Sequence, residues 1–431
     1  MGGNVHKVLL ATSVPLCRVL PPRLYSPWVR YHAERAGCLY TKIGQWVASR
    51  SDIFPHELTT ELQKLQTNAL PMSSTAVGAV LEESGLTFDA IDTVPISSGS
   101  IAHVHRGTYC GKDVAVKVQR PGLLHELEDD TEMIGRVLHF VLRGPFSGGM
   151  SDDRMYDDMM KTLTELVDSV KKETDFEEEG RHMERYRAFF DANGDGTIHV
   201  PQVVVSCRTV LVMEYVPSSP FSGDASRLMK LFYDQFFSLG YLHTDLHGGN
   251  IGVSSNGKLV LYDFGSVIRI PSDTVVGMKA LIVSYLNKNT ELMLEYMFEY
   301  GIMRSSGRRS DIPQEELDML ESFIGSVLSY IEITSIDEFS KMMRTTPLTS
   351  PTCSFANHIF IIVRSFTLLE GYCKRLDPDF VILDAVMPLA SSFANDPLFL
   401  ALKIEDDLRH VDKSMKTFFR REYSDGPGPS N

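Results

Sequence analysis

A chain of 431 residues with 43% hydrophobic and 23% charged side chains can build two ordinary domains or one large two-lobed one around a sizeable core. Its formal net charge of -14 argues against nucleic acid as a ligand, because neutralising phosphates needs a basic face. The six cysteines are scattered with no CxxC pair, a spacing that suits neither zinc nor a disulfide framework and predicts free thiols.

The first thirty residues carry Lys7, Arg18, Arg23 and Arg30, with no acid before Glu34. Acid-free, Arg-containing and partly apolar, residues 1–30 resemble a mitochondrial targeting segment; a flexible N-terminus is the other reading. No run in the chain reaches the roughly 18 apolar residues of a spanning helix. "HIFIIVRSFTLL" comes closest, and Arg364 interrupts it.

Residues 31–93 read as a helical extension. "ERAGCLYTKIGQWVASR" and "HELTTELQKLQ" repeat apolar residues at three-to-four spacing. Residues 94–216 change character. "IAHVHRGTY" and "DVAVKV" are β-prone runs around the turn "CGKD", which predicts a hairpin. An acidic, helical stretch from Glu126 to Glu179 follows, expected to be solvated helix surface, and then two strands, "PQVVVSC" and "TVLVMEYV". Residues 217–420 are mostly helical apart from the hairpin-like "NIGVSSNGKLVLYDFG", and 421–431 read as a disordered tail. Strands early and helices late predict an α+β protein with two unequal lobes. "DANGDGTIHVPQ" begins in calcium-loop register, but its twelfth position is Gln202 and a strand follows, so a polar turn is expected.

Two chemistries compete for "YLHTDLHGGNIGV". His243, Asp245 and His247 could gather a metal, or the stretch could be the catalytic loop of a phosphotransferase. Asn250 stands five residues after Asp245, then comes a hairpin and Asp263-Phe264-Gly265. That is the kinase order H-R-D-x-x-x-x-N…D-F-G. In it Asp245 would orient or deprotonate the acceptor, while Asn250 and Asp263 would hold Mg²⁺ against the ATP phosphates. The rest of such a site is present. Lys117 in "VAVKVQRPG" lies on a strand, where it would contact the phosphates. "VLVMEYV" has the character of a hinge, with Met213 bordering the adenine and backbone groups from Glu214 to Val216 bonding it. No further His or Cys completes a zinc set, so the catalytic-loop reading is preferred.

The pattern departs from ordinary protein kinases. "PISSGSIAHVHRG" stands where G-x-G-x-x-G would be, and no A-P-E follows Asp263. "TKIGQWVASRSDIFP", "SSGSIAHVHRG", "VAVKVQRPG", "KETDFEEEGRHMERY", "HTDLHGGN", "LYDFG" and "RLDPDF" resemble, in order, the signatures of the aarF/UbiB atypical kinase-like family, from about Tyr40 to Phe380. The resemblance implies a protein-kinase-like fold carrying an N-terminal extension with a K-x-G-Q motif, here Lys42 and Gln45. It matches Glu173 and Asp175 to the family's E-x-D, makes Glu173 the partner of Lys42, and makes Glu179 the glutamate that pairs with Lys117. Ser97, Ser98, Gly99 and Ser100 replace the usual alanine-rich nucleotide loop, and Leu246 replaces the usual Pro after Asp245. The implied cofactors are ATP and Mg²⁺, in a phosphotransferase or ATPase connected to ubiquinone biosynthesis or mitochondrial lipid homeostasis. The implied partners are a lipid or isoprenoid-quinone precursor or associated biosynthetic proteins, with peripheral membrane contact. A nucleotide-binding scaffold without phosphotransfer is the alternative.

Overall fold

The computed structural model describes residues 2–13, 20–48, 54–66, 72–143, 153–194, 196–305, 307, 311–331 and 352–381, together with positions 385, 400, 401 and 404. Asp195 of the calcium-like run and the tail 421–431 lie outside the described residues. The chain divides into two compact units, Met1–Phe221 with Gly249–Ser266, and Ser222–Gly248 with Val267–Asn431. The architecture is α+β.

In the first unit, helices α1 (Gly2–Ser13), α2 (Pro22–Ala36), α3 (Cys38–Ala48), α4 (His56–Leu62) and α5 (Ser74–Glu83) precede the sheet. Strands β1 (Ala90–Ile91), β2 (Ser97–Ser98), β3 (Ala102–Tyr109) and β4 (Lys112–Gln119) follow. Helices α6 (Leu123–Arg143), α7 (Asp153–Glu173) and α8 (Phe176–Asn193) come before β5 (Ile198–His199), β6 (Val203–Ser206), β7 (Val210–Glu214) and β8 (Ser218–Pro220). The main sheet runs β1-β3-β4-β7-β6, with β2 also paired to β3. Its hairpin turns at Cys110-Gly111, where both residues have positive φ (50° and 72°), the two-residue connection whose twist matches the strands.

Two-residue periodicity divides the labour of β4. Val114, Val116 and Val118 are fully buried against Val77 and Val80 of α5, together with Val210 and Val212. Lys117 and Gln119 alternate to the opposite face, where α8 supplies Glu179. Helices α3, α6 and α7 share a second core of Leu39, Leu123, Leu127, Leu163, Val167 and Val170. The hairpin β10 (Ile251–Ser254) and β11 (Leu259–Leu261) turns at Gly257, φ 79°, and joins a small sheet in the order β5-β11-β10-β8. A Cβ at Gly252 would meet Ser218 Oγ at 2.5 Å, so the β8–β10 approach needs glycine there.

The N-terminal segment is built into this unit. Tyr25 of α2 is buried with Leu58, Leu62 and Leu65, and Leu10 of α1 packs on the same cluster. Lys7 Nζ lies 2.6 Å from Asp130 and 3.2 Å from Glu126 on α6. The acidic stretch is therefore not all solvated surface, because Asp130 and Glu179 are both 2% exposed. Asp130 neutralises Lys7, and Glu179 belongs to the site described below. Past α8 the chain turns into β5 and β6 with no second helix, unlike a calcium-binding hand.

In the second unit, α9 (Ser226–Tyr233), β9 (Tyr241–His243), β12 (Val267–Arg269), α10 (Ser272–Leu286), α11 (Thr290–Glu299), β13 (Met303–Ser305), α12 (Gln314–Ile331), β14 (Cys353–Phe355) and α13 (Asn357–Leu376) surround a core of Phe236, Leu242, Ile270, Leu294, Ile302 and Leu320. Strand β9 pairs antiparallel with β12, Val267 opposite His243. No helix among the described residues is long and apolar enough to cross a membrane, and the five described cysteines are free.

Candidate active site

In the first unit three charged residues from three elements meet. Lys117 of β4 donates from Nζ to both carboxylate oxygens of Glu179 (2.7 and 2.9 Å) and to Asp263 Oδ1 (2.8 Å). The Lys117 ammonium also lies 5.1 Å from the centre of the buried Phe176 ring. Burial opposes the charge on Lys117, but Asp263 and Glu179 outweigh it and hold its pKa above the ordinary lysine value. Burial pushes Glu179 up to about 7, against the pull of Lys117 and the Phe264 N–H.

The Asp-Phe-Gly turn is fixed from both sides. The Phe264 N–H donates to Glu179 Oε1 at 3.2 Å. The Phe264 ring is fully buried, 5.0 Å from Tyr186 of α8 in an edge-to-face contact. Asp263 has φ 55°, a left-handed conformation uncommon outside glycine, and its side chain stays half exposed. The turn thus buries Phe264 and presents Asp263. Asn250 closes the same hairpin, its carbonyl accepting from the Tyr262 N–H at 2.9 Å.

Asp263 and Asn250 supply a carboxylate and an amide oxygen, hard donors suited to Mg²⁺, which binds through one or two protein ligands plus phosphate oxygens and waters. No group of three or more His, Cys, Asp or Glu side chains among the described residues forms a metal cluster.

A second constellation adjoins it. Lys42 Nζ on α3 lies 2.5 Å from Glu173 Oε2 at the end of α7. Gln45 Nε2 makes a long contact with the Leu65 carbonyl, 3.5 Å. Asp175 caps α8, accepting from the Glu177 and Glu178 N–H groups at 3.1 Å each. Glu173 and Asp175 thus face different tasks across one turn. Between them, the Thr174 carbonyl accepts from Gln119 Nε2 at 2.6 Å.

The hinge residues are more committed than the sequence suggested. Met213 is buried on β7. The Glu214 N–H donates to the Gln202 carbonyl, and the Val216 carbonyl accepts from the Tyr262 hydroxyl. The Ser97–Ser100 loop is anchored at Gly99, whose N–H donates to the Ala102 carbonyl at 2.8 Å.

In the second unit, the loop after β9 carries Asp245. Its N–H donates to His243 Nδ1 at 3.2 Å, and its carboxylate lies 3.8 Å from His247 Nε2. His243 is 1% exposed, so its ring supports the loop from within. Leu246 is also buried. Helix α13 backs the loop, with Tyr372 where a Cβ at Gly248 would be, 3.2 Å away, and Ser365 Oγ against the Thr244 carbonyl at 3.4 Å.

Residues 64–297 match the model of the ABC1 atypical kinase-like domain, more than half of the chain. The chain belongs to this family of atypical kinase-like proteins. It is 29% identical to an uncharacterized protein of Synechocystis sp., covering 87% of this chain and 66% of that one. It is 27% identical to the protein Activity of BC1 complex kinase 8, chloroplastic, of Arabidopsis thaliana (86% and 54% covered). It is 24% identical to a probable protein kinase UbiB of Xanthomonas campestris pv. campestris (84% and 68%). The chain therefore spans between about half and two thirds of the length of these relatives. A Mycobacterium tuberculosis protein solved in complex with erythromycin shares the fold, with TM-score 0.50 and 22% identity over 78% of this chain and 88% of that one. The aarF/UbiB resemblance and the kinase-like α+β fold are thus shown.

Two residues at the kinase-like site were within reach of the sequence but unassigned. Gln119 is two positions beyond Lys117, so a strand must place both on one face. Arg120 follows it in the same "VQRPG" run. By contrast, no local pattern announces the Lys7–Asp130 pair, which joins residues 123 positions apart.

Proposed function

We propose that this protein is an ATP- and Mg²⁺-dependent phosphotransferase or ATPase of the aarF/UbiB type. The observation that supports the reading is the joint engagement of Lys117 with Glu179 and Asp263; the Lys117 ammonium would meet the nucleotide phosphates. Asn250 and Asp263 would hold Mg²⁺, which when bound neutralises charge on the transferring phosphoryl group. Glu179 keeps Lys117 extended, and Phe264 keeps Asp263 turned outward. Asp245 would accept the proton of the attacking hydroxyl or water, its backbone fixed by His243. The Ser97–Ser100 loop would cover the phosphates, while Met213 and the backbone of Glu214 to Val216 would hold the base.

A nucleotide-binding scaffold without phosphotransfer is the second reading. It is favoured by the Lys42–Glu173 tie, which fastens α3 of the helical extension to the turn leading into α8. A role in ubiquinone biosynthesis or mitochondrial lipid homeostasis, with a lipid or isoprenoid-quinone acceptor and peripheral membrane contact, rests on the aarF/UbiB resemblance. The mitochondrial address rests on the acid-free N-terminal segment alone, and the organelle named among the relatives above is the chloroplast.

The deciding experiment is Mg²⁺-dependent ADP release by the full chain, with and without lipid vesicles, beside Asp245→Asn and Asp263→Asn. Turnover lost in both variants supports the enzyme. Mg-ATP binding with no Asp245-dependent turnover supports the scaffold, and no nucleotide binding overturns both.

A further inference from the structure

The Ser97–Ser100 segment, whose first two residues form β2, is held in place by a side chain from just beyond β4. Arg120, the residue after β4, donates from Nε and Nη2 to the Gly99 carbonyl at 3.3 and 3.1 Å. The same Nη2 lies 3.2 Å from His103 Nε2. A guanidinium only donates, so this nitrogen is the acceptor. His103 is fully buried on β3, directly opposite Val118 and beside Ala102, and offers a rigid stop behind the guanidinium. The Arg120 backbone N–H donates to the Ile101 carbonyl at 2.9 Å. Arg120 therefore grips the loop at two carbonyls, one through its backbone and one through its fork.

A loop that closes over phosphates normally loses conformational freedom when its ligand binds, and that ordering subtracts from affinity. Here the bonds to Gly99 and Ile101 are made within the protein. We propose that Arg120 is the positioning residue of the nucleotide loop, presetting the backbone from Ser98 to Ser100 for a polyphosphate through its two-donor bond to the Gly99 carbonyl. This rests on the nucleotide-site reading given above. The fork geometry matters as much as the charge, because a lysine keeps the ammonium but cannot reproduce two donors that converge on one carbonyl while one of them is braced on His103.

The test compares Mg-ATP and adenosine binding by calorimetry in the full chain, Arg120→Lys and Arg120→Met, with amide hydrogen exchange of residues 97–102 in the nucleotide-free proteins. Both variants are expected to weaken Mg-ATP by about tenfold while leaving adenosine, which lacks phosphates, within about twofold. Exchange of 97–102 should quicken in both. Full Mg-ATP affinity in Arg120→Lys would overturn the proposal in favour of charge alone, and an equal loss for adenosine would reduce Arg120 to general stability. If the unaltered chain binds neither ligand, the nucleotide reading fails and exchange alone decides the clamp. If the variants do not fold, the unaltered chain still decides. Slow exchange of the Ser100 and Ile101 amides, which lie between β2 and β3, supports the clamp, and exchange as fast as that of the exposed Ser255-Asn256 turn overturns it.

Discussion

Gln119 donates from its side-chain amide to the Thr174 carbonyl at 2.6 Å, both groups buried. This bond ties the strand that carries Lys117 to the turn that carries Glu173 and Asp175. Gln119→Leu would leave the Thr174 carbonyl buried and unpaired, at a cost of about 1–3 kcal/mol. Urea unfolding should show that loss, and Gln119→Glu should show a similar one, since a carboxylate cannot donate to a carbonyl. An unchanged midpoint in both variants would mean that the bond contributes nothing.

Lys42 and Glu173 have side chains only 18% and 16% exposed, so their attraction is less screened than that of a surface pair. Lys42→Met and Glu173→Gln should each destabilise the α3–α7 contact. The double variant should lose less than the sum, with a coupling of roughly 1 kcal/mol. Additive losses would show that the two charges do not depend on one another. The same cycle read on ADP release tells whether breaking the tie raises turnover, which the scaffold reading does not expect.

What the sequence made legible follows the range of its signals. The hairpin at Cys110-Gly111 and the alternation along β4 are local, and two-residue periodicity suffices to place Val116 against α5 and Lys117 away from it. The meeting of Lys117, Glu179 and Asp263 spans 146 positions. Only an ordered set of motifs, each weak alone, could name those partners. Composition misled where burial decides: within the acidic stretch, Glu177 is exposed while Asp130 and Glu179 are buried, and nothing local distinguishes them. In the N-terminal residues, likewise, nothing local announces that Lys7 finds its counter-charges on α6.

Asp175 caps α8 through two backbone N–H groups, and Glu179 lies one turn further along. Asp175→Ala should cost about 1 kcal/mol and loosen the first turn, whereas Asp175→Asn, which also caps, should retain most of that stability. Thermal unfolding of the two variants separates the outcomes. Equal losses would indicate that the charge at the helix N-terminus matters more than the cap.

Glu179 should give the site a pH response near neutrality. Burial raises its pKa from 4.5 to about 7, while every group bonded to its carboxylate donates: the Lys117 ammonium and the Phe264 N–H. The ionised form therefore makes the network, and protonation removes it. The stability linkage has the opposite sign. The folded chain binds this proton more tightly than the unfolded chain, so the contribution is fully present below about 4.5 and is lost as pH rises through about 7. Between roughly pH 6 and 8, Mg-ATP affinity should increase while unfolding free energy declines. Glu179→Gln should flatten both trends and weaken nucleotide binding throughout, because a neutral amide cannot hold the Lys117 ammonium as firmly. Affinity independent of pH over that window, or a dependence that survives in Glu179→Gln, would assign the response to another group.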